Sequence, residues 1–94
     1  MEQKMETVLL KVSSKSSPAN VAGAIAGLIK DGNEVEIQSV GAAAVNQAVK
    51  SVAISRGFLS PVGIEISIVP AFATISINEE TRTAIRFKVM AAKK

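Results

Sequence analysis

The chain has 94 residues, enough for one small domain, and 48% of them are hydrophobic, which marks a folded globular chain rather than a disordered one. It has no cysteine, so disulfides and thiolate metal sites are excluded, and it has no histidine, tryptophan or tyrosine. The net charge of +3 permits anionic partners without requiring one.

In chain order, Met1 to Met5 reads as a frayed start. Thr7 to Ser13 reads as a strand with Val8, Leu10 and Val12 on one face and Lys11 on the other. Ser14 to Ser17 forms a loop that ends as a helix start. Ser17 suits the N-cap, and Pro18 suits the first helical position, where an N–H is not needed. Val21, Ala24, Ile25, Leu28 and Ile29 then recur at helical spacing and form one apolar face. Ala22, Gly23, Ala26 and Gly27 keep this helix slim, and Gly32 reads as its left-handed cap.

Glu34 to Val40 alternates as a second strand, with Val35 and Ile37 inward and Glu34, Glu36 and Gln38 outward. A second helix is expected from Ala42 to about Arg56, with Val45, Val49, Val52 and Ala53 inward and Gly57 ending it. Ile64, Ile66 and Ile68 alternate as a third strand. Pro70 interrupts it and points to an edge or a bulge. The alternation resumes on the opposite parity at Ile75 and Ile77, as a one-residue bulge would produce. Asn78 to Thr81 is a hairpin turn. Thr83 to Met90 is a fourth strand with Ile85, Phe87 and Val89 inward and Arg86 and Lys88 outward, followed by a loose basic tail from Ala91 to Lys94. The order β-α-β-α-β-β predicts a single α+β domain over residues 1–94, a two-layer fold with two helices on one face of a mixed four-stranded sheet.

Catalytic chemistry has little to work with. The commonest acid–base and nucleophilic side chains are absent, the glycines match no nucleotide-binding loop, and the carboxylates have no metal-ligand spacing. The expectation is a protein that is not an enzyme and has no cofactor or metal. No apolar run reaches the ~20 residues of a membrane span. The stretch Met1 to Lys11, charged throughout, does not read as a secretory leader, so a cytoplasmic protein is expected.

Two places could hold phosphate. In Ser13-Ser14-Lys15-Ser16, hydroxyls and one lysine run into a helix N-terminus, whose amides and dipole favour anions. The plain alternative is a helix cap with a solvated loop. On the second helix, Asn46, Gln47, Lys50 and Arg56 form an outer polar set, with Asn46 and Lys50 four residues apart and therefore adjacent. The alternative there is an ordinary solvated face. Arg82, beside the hairpin turn, could reach a groove as part of a β-arm, or be a simple surface arginine.

The segments Lys11 to Pro18 (KVSSKSSP), Val21 to Ala24, Ala44 to Lys50 (AVNQAVK), Ile54 to Phe58, Pro70 to Phe72 and Glu79 to Ala84 together resemble the stage V sporulation protein S family, and the resemblance spans nearly the whole chain. It implies an Alba-like fold, a homodimer with a tetramer also open, and nucleic-acid binding (DNA or RNA), linked to sporulation in spore-formers. In Alba relatives the lysine-bearing loop after the first strand contacts DNA, which maps onto Lys15. Their terminal hairpin follows the minor groove, which maps onto the region of Arg82. They also carry arginine at the start of the second helix, where this chain has Gly41-Ala42-Ala43. That departure leaves the work to Lys15, Asn46 and Lys50, or to a ligand other than DNA. The rival expectation is a protein-interaction module whose apolar segments Phe58-Leu59 and Ala71-Phe72 serve assembly.

Overall fold

A computed structural model describes residues 6–94, so the expected frayed start lies outside the described residues. The elements are β1 (Thr7–Lys11), α1 (Pro18–Lys30), β2 (Glu34–Ser39), α2 (Ala42–Leu59), a short 3-10 turn (Ser60–Val62), β3 (Ile64–Ile77) and β4 (Glu80–Lys93). β1 pairs parallel with β2, β2 antiparallel with β4, and β4 antiparallel with β3, giving the sheet order β1-β2-β4-β3. This is the expected β-α-β-α-β-β fold, a mixed four-stranded sheet with two helices.

α1 begins where the local chemistry requires. Ser17 is extended, its Oγ accepts the Asn20 N–H at 3.3 Å, and Pro18 follows. The helix ends at Asp31, and Gly32 takes a φ of +87°, which a side-chain-bearing residue adopts only with strain.

The core is one layer between sheet and helices. Val35 and Ile37 of β2, Phe87 and Val89 of β4 and Ile66 of β3 meet Ile25, Ala26 and Ile29 of α1 and Ala48, Val52 and Leu59 of α2. The expected helix faces hold in part: Val21, Ile25, Leu28 and Ile29 of α1 and Val45 and Val52 of α2 are in the core or packed against it. On α1, Ala22 and Ala26 are buried and Ala24 is exposed. On α2 the buried set is Ala44, Ala48, Ser51, Val52, Ser55 and Leu59, whereas Val49 and Ala53 are exposed. The helices pack on each other as well as on the sheet, so the small residues are drawn into the helix–helix seam. Ser51 and Ser55 can be buried because their hydroxyls bond to their own helix, to the carbonyls of Gln47 at 2.8 Å and Val52 at 2.9 Å. The Ser39 hydroxyl, also buried, has no partner among the described residues.

Three further expectations are corrected. α2 runs through Gly57 to Leu59, because the fully buried Leu59 anchors its last turn. The tail from Ala91 to Lys93 is not loose but continues β4 against Ile64, Glu65 and Ile66, and the Lys94 amide bonds to the Gly63 carbonyl at 2.8 Å. β3 contains no bulge, because its register with β4 is unbroken from Ile64↔Lys93 to Ile77↔Glu80. Pro70 is tolerated because β3 is an edge strand. The parity change arises because a different face is covered. Ile66 points to the helices, whereas Ile75 and Ile77 point to the open side of the sheet and line a groove there.

β2 pairs with β4 only from Val89 to Ile85, so the hairpin from Ala73 to Ala84 extends beyond β2 as a two-stranded arm. Such ribbons twist more strongly than wider sheets. The arm turns at Asn78 and Glu79, both with positive φ (51° and 66°), between the paired Ile77 and Glu80. Two-residue hairpin turns favour this geometry, and glycine suits the second position better than glutamate. Glu79→Gly is therefore expected to stabilise the fold by about 0.5–1 kcal/mol. A thermal midpoint that rises by a few degrees is the readout, and one that falls would contradict the turn geometry.

Candidate nucleic-acid interface

The loop after β1 is ordered largely by its own serines. The Ser16 amide donates to the Ser13 carbonyl at 3.1 Å, and the Ser13 amide donates back to Ser16 Oγ at 3.0 Å. The Lys15 amide donates to Ser13 Oγ at 3.2 Å, and the two hydroxyls lie 3.4 Å apart. The hydroxyls of Ser13 and Ser16, expected as phosphate donors, are engaged in holding the loop. Ser14 and Lys15 remain exposed at its tip.

This loop is docked on α2. Gln47, half-buried rather than on the outer face, donates its side-chain amide to the Ser16 carbonyl at 2.9 Å. One contact therefore joins the two sequence-predicted patches into a continuous polar surface. Asn46 and Lys50 are exposed beside it, and Lys50 lies one turn on from both Asn46 and Gln47. The side chains of Lys15 and Lys50 have no ion pair or hydrogen bond among the described residues.

Arg56 does not join them. It forms a two-pronged pair with Glu65 of β3, with Nε at 2.8 Å and Nη2 at 3.0 Å from the carboxylate. The hydrogen bond from Arg56 holds the Glu65 carboxyl below the usual carboxylate range, and Glu65 in return raises Arg56. That pair occupies a different side of α2 and leaves Arg56 neutralised. Arg82 sits exposed on the arm, opposite Ile75 in the register. It is separate from the α2 patch. The arm itself faces the serine loop across a groove lined by Ser13 and Ser14 on one side and Ile75, Ser76 and Ile77 on the other.

The start of α2 offers no charged group. Gly41, with a φ of +90°, caps it without a side-chain bond, and Ala42 and Ala43 follow. Among the described residues no helix is long and apolar enough to cross a membrane, and no group of three or more His, Cys, Asp or Glu could hold a metal ion.

A family model described as Stage V sporulation protein S matches residues 8–92. The chain belongs to this family. Its fold is also similar to the solved structure of Alba from Thermoplasma volcanium, with a TM-score of 0.61 at 16% identity, covering 92% of this chain and all of the other. At that identity the likeness concerns the fold.

In this stage V sporulation protein S chain, sequence reasoning missed one polar constellation. Gln38 was expected to point into solvent, and it is on the predicted face of the sheet, yet it is buried. Arg86, in register with it on β4, donates Nη2–H to Gln38 Oε1 at 2.6 Å. Lys11 lies on the other side of Gln38 in the β1–β2 register, so the row Lys11, Gln38, Arg86 crosses the open face. Alternation identified the face, but the cover supplied by the arm had no signature in the spacing.

Proposed function

We propose that this protein is a non-catalytic nucleic-acid-binding protein of regulatory or architectural type, acting as a homodimer and gripping phosphates through the Lys15 loop and the exposed face of α2. The observation that carries this reading is the Gln47–Ser16 contact, which joins the loop of Lys15 to the helix face of Asn46 and Lys50, where neither lysine has a carboxylate partner among the described residues. Lysines on an ordered loop and an adjoining helix face suit a row of phosphates better than a single small anion. The family's link to sporulation and the Alba-like fold agree with such a role in a spore-former, and a cytoplasmic location fits it. No aromatic platform accompanies the lysines, so backbone contact rather than base stacking is the expected mode.

The test is a fluorescence-anisotropy titration with labelled duplex DNA and single-stranded RNA across a salt series. Each phosphate neutralised steepens the log–log salt dependence by about 0.9 on duplex DNA. Lys15→Glu, which removes one contact per protomer, should lower the slope of a dimer by about 2. Equal binding by parent and variant at low salt would remove the loop from the interface. No binding by the parent at low salt would favour the second reading, a protein-assembly module. That reading has one specific observation behind it. Phe72 is 81% exposed and Phe58 47% exposed, while Leu59 belongs to the core.

A further inference from the structure

The groove on the open side of the sheet has a volume of about 610 Å³. That is within the ordinary range for a small-molecule site, roughly 300–1,000 Å³. Its walls divide by chemistry. Leu9, Val40, Ile75 and Ile77 supply apolar surface, and Lys11, Gln38, Arg86, Ser13, Ser14 and Ser76 supply donors. Among the described residues no carboxylate lines it.

Arg86 is the informative residue. It is half-buried and carries a guanidinium cation. Half-buried cations normally face a carboxylate, yet among the described residues Arg56–Glu65 is the one ion pair. The partner of Arg86 is the neutral Gln38 amide oxygen. That bond fixes the plane of the guanidinium without neutralising it. The Arg86 Nε–H is moreover sealed from solvent without an acceptor among the described residues. Lys11 adds a second cation two strands away in the same row. The site thus has a positioned fork donor, an unbalanced positive charge and an apolar cleft leading from it.

We propose that this groove binds a small organic oxyanion, with a carboxylate or phosphate head held by Arg86 and Lys11 and an apolar body lying between Leu9, Val40, Ile75 and Ile77. A fork of guanidinium N–H groups matches the paired oxygens of such heads. The apolar walls discriminate against inorganic phosphate, and the cations against neutral amphiphiles. Because one wall belongs to the arm, an occupant would tie the arm to the rest of the sheet. The site borders the Lys15 loop through Ser13 and Ser14 but draws on neither Lys15 nor Lys50, and it stands whether or not that surface binds nucleic acid.

The experiment is a two-dimensional ¹H–¹⁵N NMR titration of the full chain, including the arginine Nε–H region, with octanoate and octyl phosphate as probes and 1-octanol and inorganic phosphate as controls. Saturable shifts of the Lys11, Gln38, Ile75 and Ile77 amides and of the Arg86 Nε–H are expected with at least one anionic amphiphile. Which head binds tells carboxylate from phosphate. The controls should bind at least about tenfold more weakly, as should Arg86→Met against the parent. Should Arg86→Met not fold, Ile77→Glu, at an exposed position of the arm, places a like charge at the groove and should weaken binding in the same direction. The proposal is overturned if neither amphiphile moves these signals up to its solubility limit. It is equally overturned if inorganic phosphate or octanol does as well, or if the folded variants bind as the parent does.

Discussion

Ile37→Ala is expected to remove about 2–5 kcal/mol of stability, a large part of the roughly 5–15 kcal/mol that a domain possesses. Ile37 is fully buried at the centre of the sheet, with Leu10 beside it on β1 and Phe87 on β4. Both helices close over this row, so the surroundings cannot collapse into the space left by three lost carbons. The chain has no tryptophan or tyrosine, so urea unfolding is best followed by far-ultraviolet circular dichroism. The midpoint should fall with the slope unchanged, and Ile37→Val should lose only about 0.5–1.5 kcal/mol. If alanine costs no more than valine, the core is not centred on this residue.

The double reversal Lys15→Glu with Lys50→Glu should abolish binding to duplex DNA at physiological salt. A slope of about 0.9 per phosphate means that one contact is worth roughly eightfold in affinity between 1 M and 0.1 M salt. A dimer that loses one contact per protomer loses about sixtyfold, and one that loses two per protomer loses on the order of a thousandfold or more. Both lysines are exposed, so neither change should disturb the fold. Anisotropy at about 0.1 M salt, near physiological strength, with circular dichroism as the folding control, measures the effect. If Lys50→Glu adds nothing to Lys15→Glu, the helix face is not part of the surface despite the Gln47 contact that joins it to the loop.

The alternation of Val35 with Ile37 and the Ser17-Pro18 start placed strands and helices correctly, because those signals are local. The small residues that complete the buried helix faces were not legible. Ser51 and Ser55 read as polar, and only their bonds to their own helix backbone let them behave as small apolar residues. Ile75 and Ile77 suggested a bulge because the spacing records which face is covered and not what covers it. For the site, the pattern gave Lys15, Asn46 and Lys50 as separate patches. Gln47 joins them through a contact across 31 positions of sequence, and no periodicity reports such a contact. Arg56 looked like part of the same face until Glu65, on another element, was seen to bind it.

The place of Pro70 governs how copies of this protein can polymerise. β3 is a fourteen-residue edge, and Pro70 lies within its ladder to β4 without breaking the register. That requires the Pro70 nitrogen to face away from β4, and the N–H groups of the other even-numbered residues face outward with it. Pro70 takes the middle of that row, so an incoming strand meets two short half-templates instead of one long one. Strand addition to this edge is disfavoured accordingly, which is how a proline blunts the free edge of a sheet.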